Sequence, residues 1–107
     1  EGAIASLPGK PLEQMPKGPD FKKRYEAKHG KIELYATYNY DAVMVMVEAM
    51  KRANSTKPQD YLPEVAKTNH EGVTATIQFD DKGDLKNGAV ALYKVEKGAW
   101  VALPAVQ

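Results

Sequence analysis

The hydrophobic pattern of this chain changes period once, after Gly72. From Val73 the apolar residues alternate, with Val73, Ala75, Ile77 and Phe79 on one side of a strand and Thr74, Thr76 and Gln78 on the other. Before Gly72 they recur at three- and four-residue spacing. A chain patterned this way places helices first and strands after them.

Three helices are predicted before the switch. In the first, Pro19 fits an N1 position, Asp20 favours the first-turn dipole, Phe21 and Tyr25 share a face, and Lys28-His29 precede the stop Gly30. Its outer positions are Lys22, Lys23, Arg24 and Glu26. The second runs from about Asn39 to Ala53, with an inward stripe of Tyr38, Ala42, Val45, Ala49 and Ala53 and with Met46 and Met50 adjoining it. Val43, Val45 and Val47 also alternate as a strand would, but length and the helix-forming run Glu48 to Ala53 decide for helix. Glu48 is placed to pair with Arg52 or Lys51. The third puts Tyr61, Leu62, Val65 and Ala66 inward and starts at Pro58 or nearer Pro63, since an internal proline removes one intrahelical bond.

Flanking these helices are a brief strand at Gly2 to Leu7 and, after the turn Asp80 to Asp84, strands at Ala89 to Val95 and Ala99 to Leu103 joined through Glu96-Lys97-Gly98. The stretch Pro8 to Pro19 holds four prolines and two glycines and suits a hinge or surface loop. The expected order is strand, linker, three helices, then three strands.

Composition narrows the function. With 107 residues and a net charge of +1, the chain is one domain's worth and offers neither the basic face of a nucleic-acid binder nor a polybasic membrane anchor. Fourteen of its apolar residues are alanines, so the core is thin. The absence of cysteine excludes disulfides and thiolate chemistry. The longest apolar run, Ala42 to Val47, is far short of the ~20 residues a bilayer demands. The start Glu1-Gly2-Ala3, without Met or a signal-like segment, reads as a processed or truncated end.

No catalytic constellation is present in the sequence, and neither a metal nor a cofactor is expected. His29 and His70 each sit at an element's end, where a solvated imidazole or dipole partner is the expectation. Asp80, Asp81 and Asp84 break the calcium-loop spacing and read as a turn. The less ordinary feature is Tyr35-Ala36-Thr37-Tyr38-Asn39-Tyr40-Asp41-Ala42, which brings three tyrosines to the entrance of the second helix. Rings with hydroxyl tips suit a wall closing on a small molecule, and they suit equally well a core whose hydroxyls reach its edge. The first N–H groups of that helix offer a place for a ligand carboxylate.

A longer set of segments carries a resemblance. Tyr38-Asn39-Tyr40-Asp41-Ala42-Val43, Glu48-Ala49-Met50-Lys51-Arg52-Ala53, Leu62 to Thr68, Gly72-Val73-Thr74, Phe79 to Asp84 and Trp100-Val101, in this order and spacing, resemble the closing third of branched-chain amino-acid ABC-transporter binding proteins. These are the type I periplasmic solute receptors. The resemblance implies an α/β fold, a fragment of two lobes joined by hinge crossings, with residues 1–107 carrying pieces of both lobes and hinge-like segments at 8–19 and 80–86. It implies a non-enzymatic, periplasmic receptor that captures an amino acid and presents it to a membrane permease. Most groups holding the ligand would lie outside this stretch, and the cleft-facing contribution expected from it is Tyr38 or its neighbour Thr37. The isolated chain is then expected to bind ligand weakly or not at all, and to cover its cut edges by self-association. The alternative is a free-standing small α+β interaction or regulatory domain with Trp100 and the tyrosines as its core.

Overall fold

The computed structural model describes residues 1–33 and 35–104. Two bodies are joined by crossing segments. The first is a three-stranded antiparallel sheet in the order β1-β4-β5, built from β1 (Ile4–Pro8), β4 (Val90–Glu96) and β5 (Ala99–Ala102). Ile4 pairs with Lys94 and Pro8 with Val90, so the first and last parts of the chain lie side by side. β4 returns into β5 through Lys97 and Gly98, whose φ values of 54° and 76° make the two-residue hairpin turn that matches strand twist.

The second body contains α1 (Gly18–His29), α2 (Ala36–Ala53), α3 (Pro58–Ala66) and a short hairpin of β2 (Asn69–Glu71) with β3 (Thr76–Gln78). α1 follows its sequence signals, with Pro19 in the first turn, Lys28 and His29 in the last, and Gly30 at φ 79° ending it. Phe21 and Tyr25 stack at 5.8 Å between ring centres, on the shared face their spacing predicts. α2 ends at Asn54 in the left-handed conformation, its N–H returned to Lys51 O and Met50 O. Ser55 then accepts the N–H of Lys57 and donates to Asp60, which turns the chain into α3. Arg52 ties the two helices together, its Nη2 donating to Glu64 O at 2.8 Å and its Nε lying 3.5 Å from the Glu64 carboxylate.

Several expectations shift. α3 starts at Pro58, not near Pro63. Pro63 sits on an exposed face, where the carbonyl it leaves unpaired can reach water. Leu62 and Ala66 are exposed, so only Tyr61 and Val65 of its expected inward set are partly covered. The buried stripe of α2 is Thr37, Asp41, Val45 and Ala49, while Ala42 is exposed. Glu48 pairs with neither Arg52 nor Lys51: its two oxygens both lie 3.1 Å from His70 Nδ1, which binds α2 to β2 and leaves His70 partly buried rather than solvated.

β2 was not expected, because Asn69-His70-Glu71 is polar. The strand expected over Val73–Phe79 shortens to Thr76–Gln78. Four strands therefore follow the helices among the described residues. The Pro8 to Pro19 stretch is partly packed: Met15 is buried, the Lys17 N–H donates to Val73 O, and the Lys17 ammonium donates to Glu71 O at 3.0 Å.

The bodies are sparsely covered. The radius of gyration is 16.2 Å, against about 13 Å for a compact domain of this length. The surface of 7917 Å² exceeds by about 2,000 Å² what a folded protein of 11.8 kDa exposes. The excess is apolar in part: Ile4, Val90 and Trp100 on the sheet and Val43 and Leu62 on the helices are all more than half exposed.

Candidate functional site

The entrance of α2 is where the two bodies meet. Tyr35 is the N-cap residue, and from it the tyrosine run winds once around the first turns of the helix. Four residues with different surroundings result. The Tyr35 side chain is exposed, at 65%. Thr37 is buried, at 2%, on the stripe that faces inward. Tyr38 points at the strand end of the other body, its hydroxyl donating to Pro8 O at 3.2 Å. Tyr40 meets Phe21 edge-on at 5.3 Å.

Tyr38 thus links α2 to the point where β1 leaves the sheet. Gly9, the next residue, has φ 87° and donates its N–H to Ala89 O at 2.7 Å. A side chain at Gly9 would collide with the Tyr38 hydroxyl, so the ring and the crossing strand are in direct contact. Partial burial, with the neighbouring Tyr93 hydroxyl adding to it, pushes the Tyr38 hydroxyl pKa above the ordinary tyrosine value.

One helical turn beyond Thr37, Asp41 holds the loop between β2 and β3. Its carboxylate accepts the N–H of Val73 at 2.8 Å, the N–H of Thr74 at 2.9 Å and the Thr74 hydroxyl at 2.6 Å. Asp41 is 2% exposed, and these bonds answer the cost of burying its charge. The sequence names Asp41 only as part of a run. The signal that points to it is a carboxylate on the same helix face as Val45 and Ala49, where an apolar residue would otherwise stand.

Beside Tyr40 an open groove of about 540 Å³ runs between α1 and α2, lined by Phe21, Tyr25, His29, Ala36 and Tyr40 with Arg24 and Lys28 at its rim. A second shallow depression of about 410 Å³ lies between Leu12 and the first turns of α1. Neither is enclosed. Among the described residues no group of three His, Asp or Glu side chains is placed to hold a metal, and no helix is long and apolar enough to cross a membrane. Asp80 forms the turn its sequence suggests, its Oδ1 accepting the N–H groups of Lys82 and Asp84 at 2.9 Å.

The family described as receptor family ligand binding region matches residues 13–98. The leucine-, isoleucine-, valine-, threonine- and alanine-binding protein of Pseudomonas aeruginosa is 30% identical over 92% of this chain and 26% of its own length. A Leu/Ile/Val-binding protein homolog of Brucella abortus is 38% identical over 72% of this chain and 21% of its own.

Among solved structures, a leucine-binding protein of Thermotoga maritima superposes with a TM-score of 0.82 at 26% identity, covering 99% of this chain and 31% of that one. An ABC-transporter substrate-binding protein of Desulfitobacterium hafniense in complex with Leu gives 0.79 at 27% identity, over 96% and 31%. These relatives are solute-binding proteins, not enzymes, and the chain spans between a fifth and a third of their length. The chain belongs to the receptor ligand-binding family, with an α/β fold that corresponds to part of a type I periplasmic solute-binding protein.

Proposed function

We propose that this chain is the closing part of a periplasmic receptor that captures an amino acid, with branched-chain side chains as its preferred class, and delivers it to an ABC permease. The observation that carries the reading is the superposition of nearly the whole chain onto about a third of leucine-binding proteins. In this reading the β1-β4-β5 sheet belongs to one lobe, and the helices with the β2–β3 hairpin belong to the other. Segments 8–19 and 80–86 are hinge crossings between them.

A ligand gripped by both lobes favours the closed form by as much as it gains from touching both. This chain's share of the grip is at the α2 entrance. Tyr38 supplies a wall at the crossing with Thr37 buried behind it, and Tyr35 supplies an exposed ring at the helix start. The charge-assisted bonds to the ligand's carboxylate and ammonium come from the rest of the parent protein. The excess surface and the open shape support this reading over a free-standing α+β interaction domain, which would cover its own core.

Calorimetry on the chain extended to the length of its relatives tests it. Leucine, isoleucine and valine are expected to bind, with Tyr35→Ala weakening each. Binding of none of the common amino acids by a folded extended protein would overturn the proposal.

A further inference from the structure

The crossing from β3 to β4 is tied at both ends and untied in between. At its start Phe79 and Leu85 form an isolated antiparallel bridge, the Asp80 N–H donates to Asp84 O at 2.9 Å and the Lys86 N–H donates to Gln78 O at 2.9 Å. At its end Ala89 O accepts the Gly9 N–H at 2.7 Å, and β4 begins at Val90. Asn87 and Gly88 fall between these ties, and both are exposed. Asn87 holds a left-handed φ of 56°, which asparagine tolerates better than most residues with a side chain. The Gly88 N–H makes no hydrogen bond among the described residues. A Cβ on Gly88 would meet nothing nearer than Leu85 O at 3.9 Å, so this peptide unit is open to solvent.

An asparagine amide is a carbonyl that carries an amine leaving group, and the backbone nitrogen of the next residue can close a five-membered ring onto it. Glycine in that next position leaves the nitrogen unshielded. We infer that Asn87 is a self-modification site, which converts without an enzyme, through a cyclic imide, to aspartate and isoaspartate at the joint between the two bodies. The Gly88 nitrogen gives up its proton and bonds to Asn87 Cγ, while the Cγ–Nδ2 bond breaks and Nδ2 leaves with that proton as ammonia. Water then opens the imide, its oxygen going to carbon and its proton back to nitrogen. Opening at Cγ gives aspartate; opening at the main-chain carbonyl carbon leaves the backbone running through Cβ and Cγ as isoaspartate. One water is taken up, one ammonia is released, and nothing is oxidised or reduced. Both products add a negative charge, and isoaspartate also lengthens the backbone by a carbon where no neighbouring bond restrains it. The other asparagines lack the combination. Asn39 lies within α2 before Tyr40, and Asn69 lies in β2 before His70. Asn54 is left-handed too, at φ 49°, but the N–H of Ser55 that would attack it is held by Met50 O at 3.2 Å. The inference rests on this local geometry and not on the receptor reading, so the two fail separately.

The 107-residue chain, incubated in mildly alkaline buffer and then cut with trypsin, tests it by mass spectrometry. The peptide from Asn87 to Lys94 is expected to gain about 1 Da, an amide exchanged for an acid, and to split into two chromatographic peaks. The peptides carrying Asn39, Asn54 and Asn69 are expected to stay unchanged. Gly88→Ala, for which the site has room, is expected to slow the conversion on the order of tenfold with circular dichroism unchanged. A parallel incubation in urea reports each asparagine free of the fold: Asn54 is expected to convert faster there, and Asn87 at much the same rate as in the folded chain. Asn87 persisting in the folded chain, or Asn54 converting as fast as Asn87 there, would overturn the proposal.

Discussion

The carboxylate of Asp41 lies against the bare Cα of Gly72, so close that a Cβ there would sit 2.5 Å from Oδ2. Two elements 31 positions apart in sequence are thereby fixed: Gly72 lets the 72–74 loop approach, and Asp41 takes up the N–H groups of Val73 and Thr74. Asp41→Ala leaves a buried N–H at Val73 with no acceptor and is expected to destabilise the chain by about 3 kcal/mol. Gly72→Ala forces the loop off the carboxylate and is expected to cost about 2 kcal/mol. Urea midpoints of the two variants and of the double variant check this. Because both act on one contact, the double variant should lose clearly less than the sum of the single losses.

Tyr38→Phe removes the bond to Pro8 O without changing the ring, with an expected loss of about 1 kcal/mol. Gly9→Ala is expected to be worse, because it combines a left-handed φ of 87° with a collision against the Tyr38 hydroxyl. The pH dependence has a definite sign. A folded-state pKa raised above the ordinary value of 10.0 favours the neutral hydroxyl, so its contribution is complete below pH 10.0 and lost as pH rises through the folded-state pKa. Stability measured across that alkaline range should fall in the unmodified chain and fall less in Tyr38→Phe.

Glu64 acts at the other end of the scale. The hydrogen bond from Lys67, and after it the charges of Lys67 and Arg52, hold its carboxyl below the ordinary 4.5 against an opposing push from burial. A lowered carboxyl pKa contributes stability above 4.5 and loses it as pH falls through the folded-state value. Glu64→Gln is expected to flatten the acid limb of the stability curve, and added salt to shrink the difference between the two proteins. Thermal midpoints between pH 3 and pH 6, about the range that brackets this titration, check it.

The elements were legible where local chemistry decides them. Pro19, Asp20 and Gly30 bracket α1, and Lys97-Gly98 make the hairpin, because capping and positive-φ turns act over a few residues. The faces of α2 were legible only in part. Its apolar residues run round the whole helix, so spacing alone could not separate the inward stripe at Asp41 and Val45 from the exposed one at Val43 and Val47. β2 left no apolar signal, since Asn69 and Glu71 are exposed and the strand exists through its pairing with β3.

At the candidate site, the tyrosine run drew attention to the start of α2. What each ring touches depended on where β1 crosses, and no local pattern encodes that. Asp41 stayed hidden for a related reason: its partners Val73 and Thr74 are distant in sequence, and a lone aspartate on a helix usually faces water.

In the proposed receptor, the grip on an amino acid is shared between this chain and the rest of a longer protein. Leucine titrated into the 107-residue chain alone, beside the same chain extended to its relatives' length, distinguishes a shared grip from one held by this chain by itself. The expected result is measurable heat with saturation for the extended protein and none for the short chain at matched concentration. Saturable leucine binding of equal affinity by the 107 residues alone would contradict it.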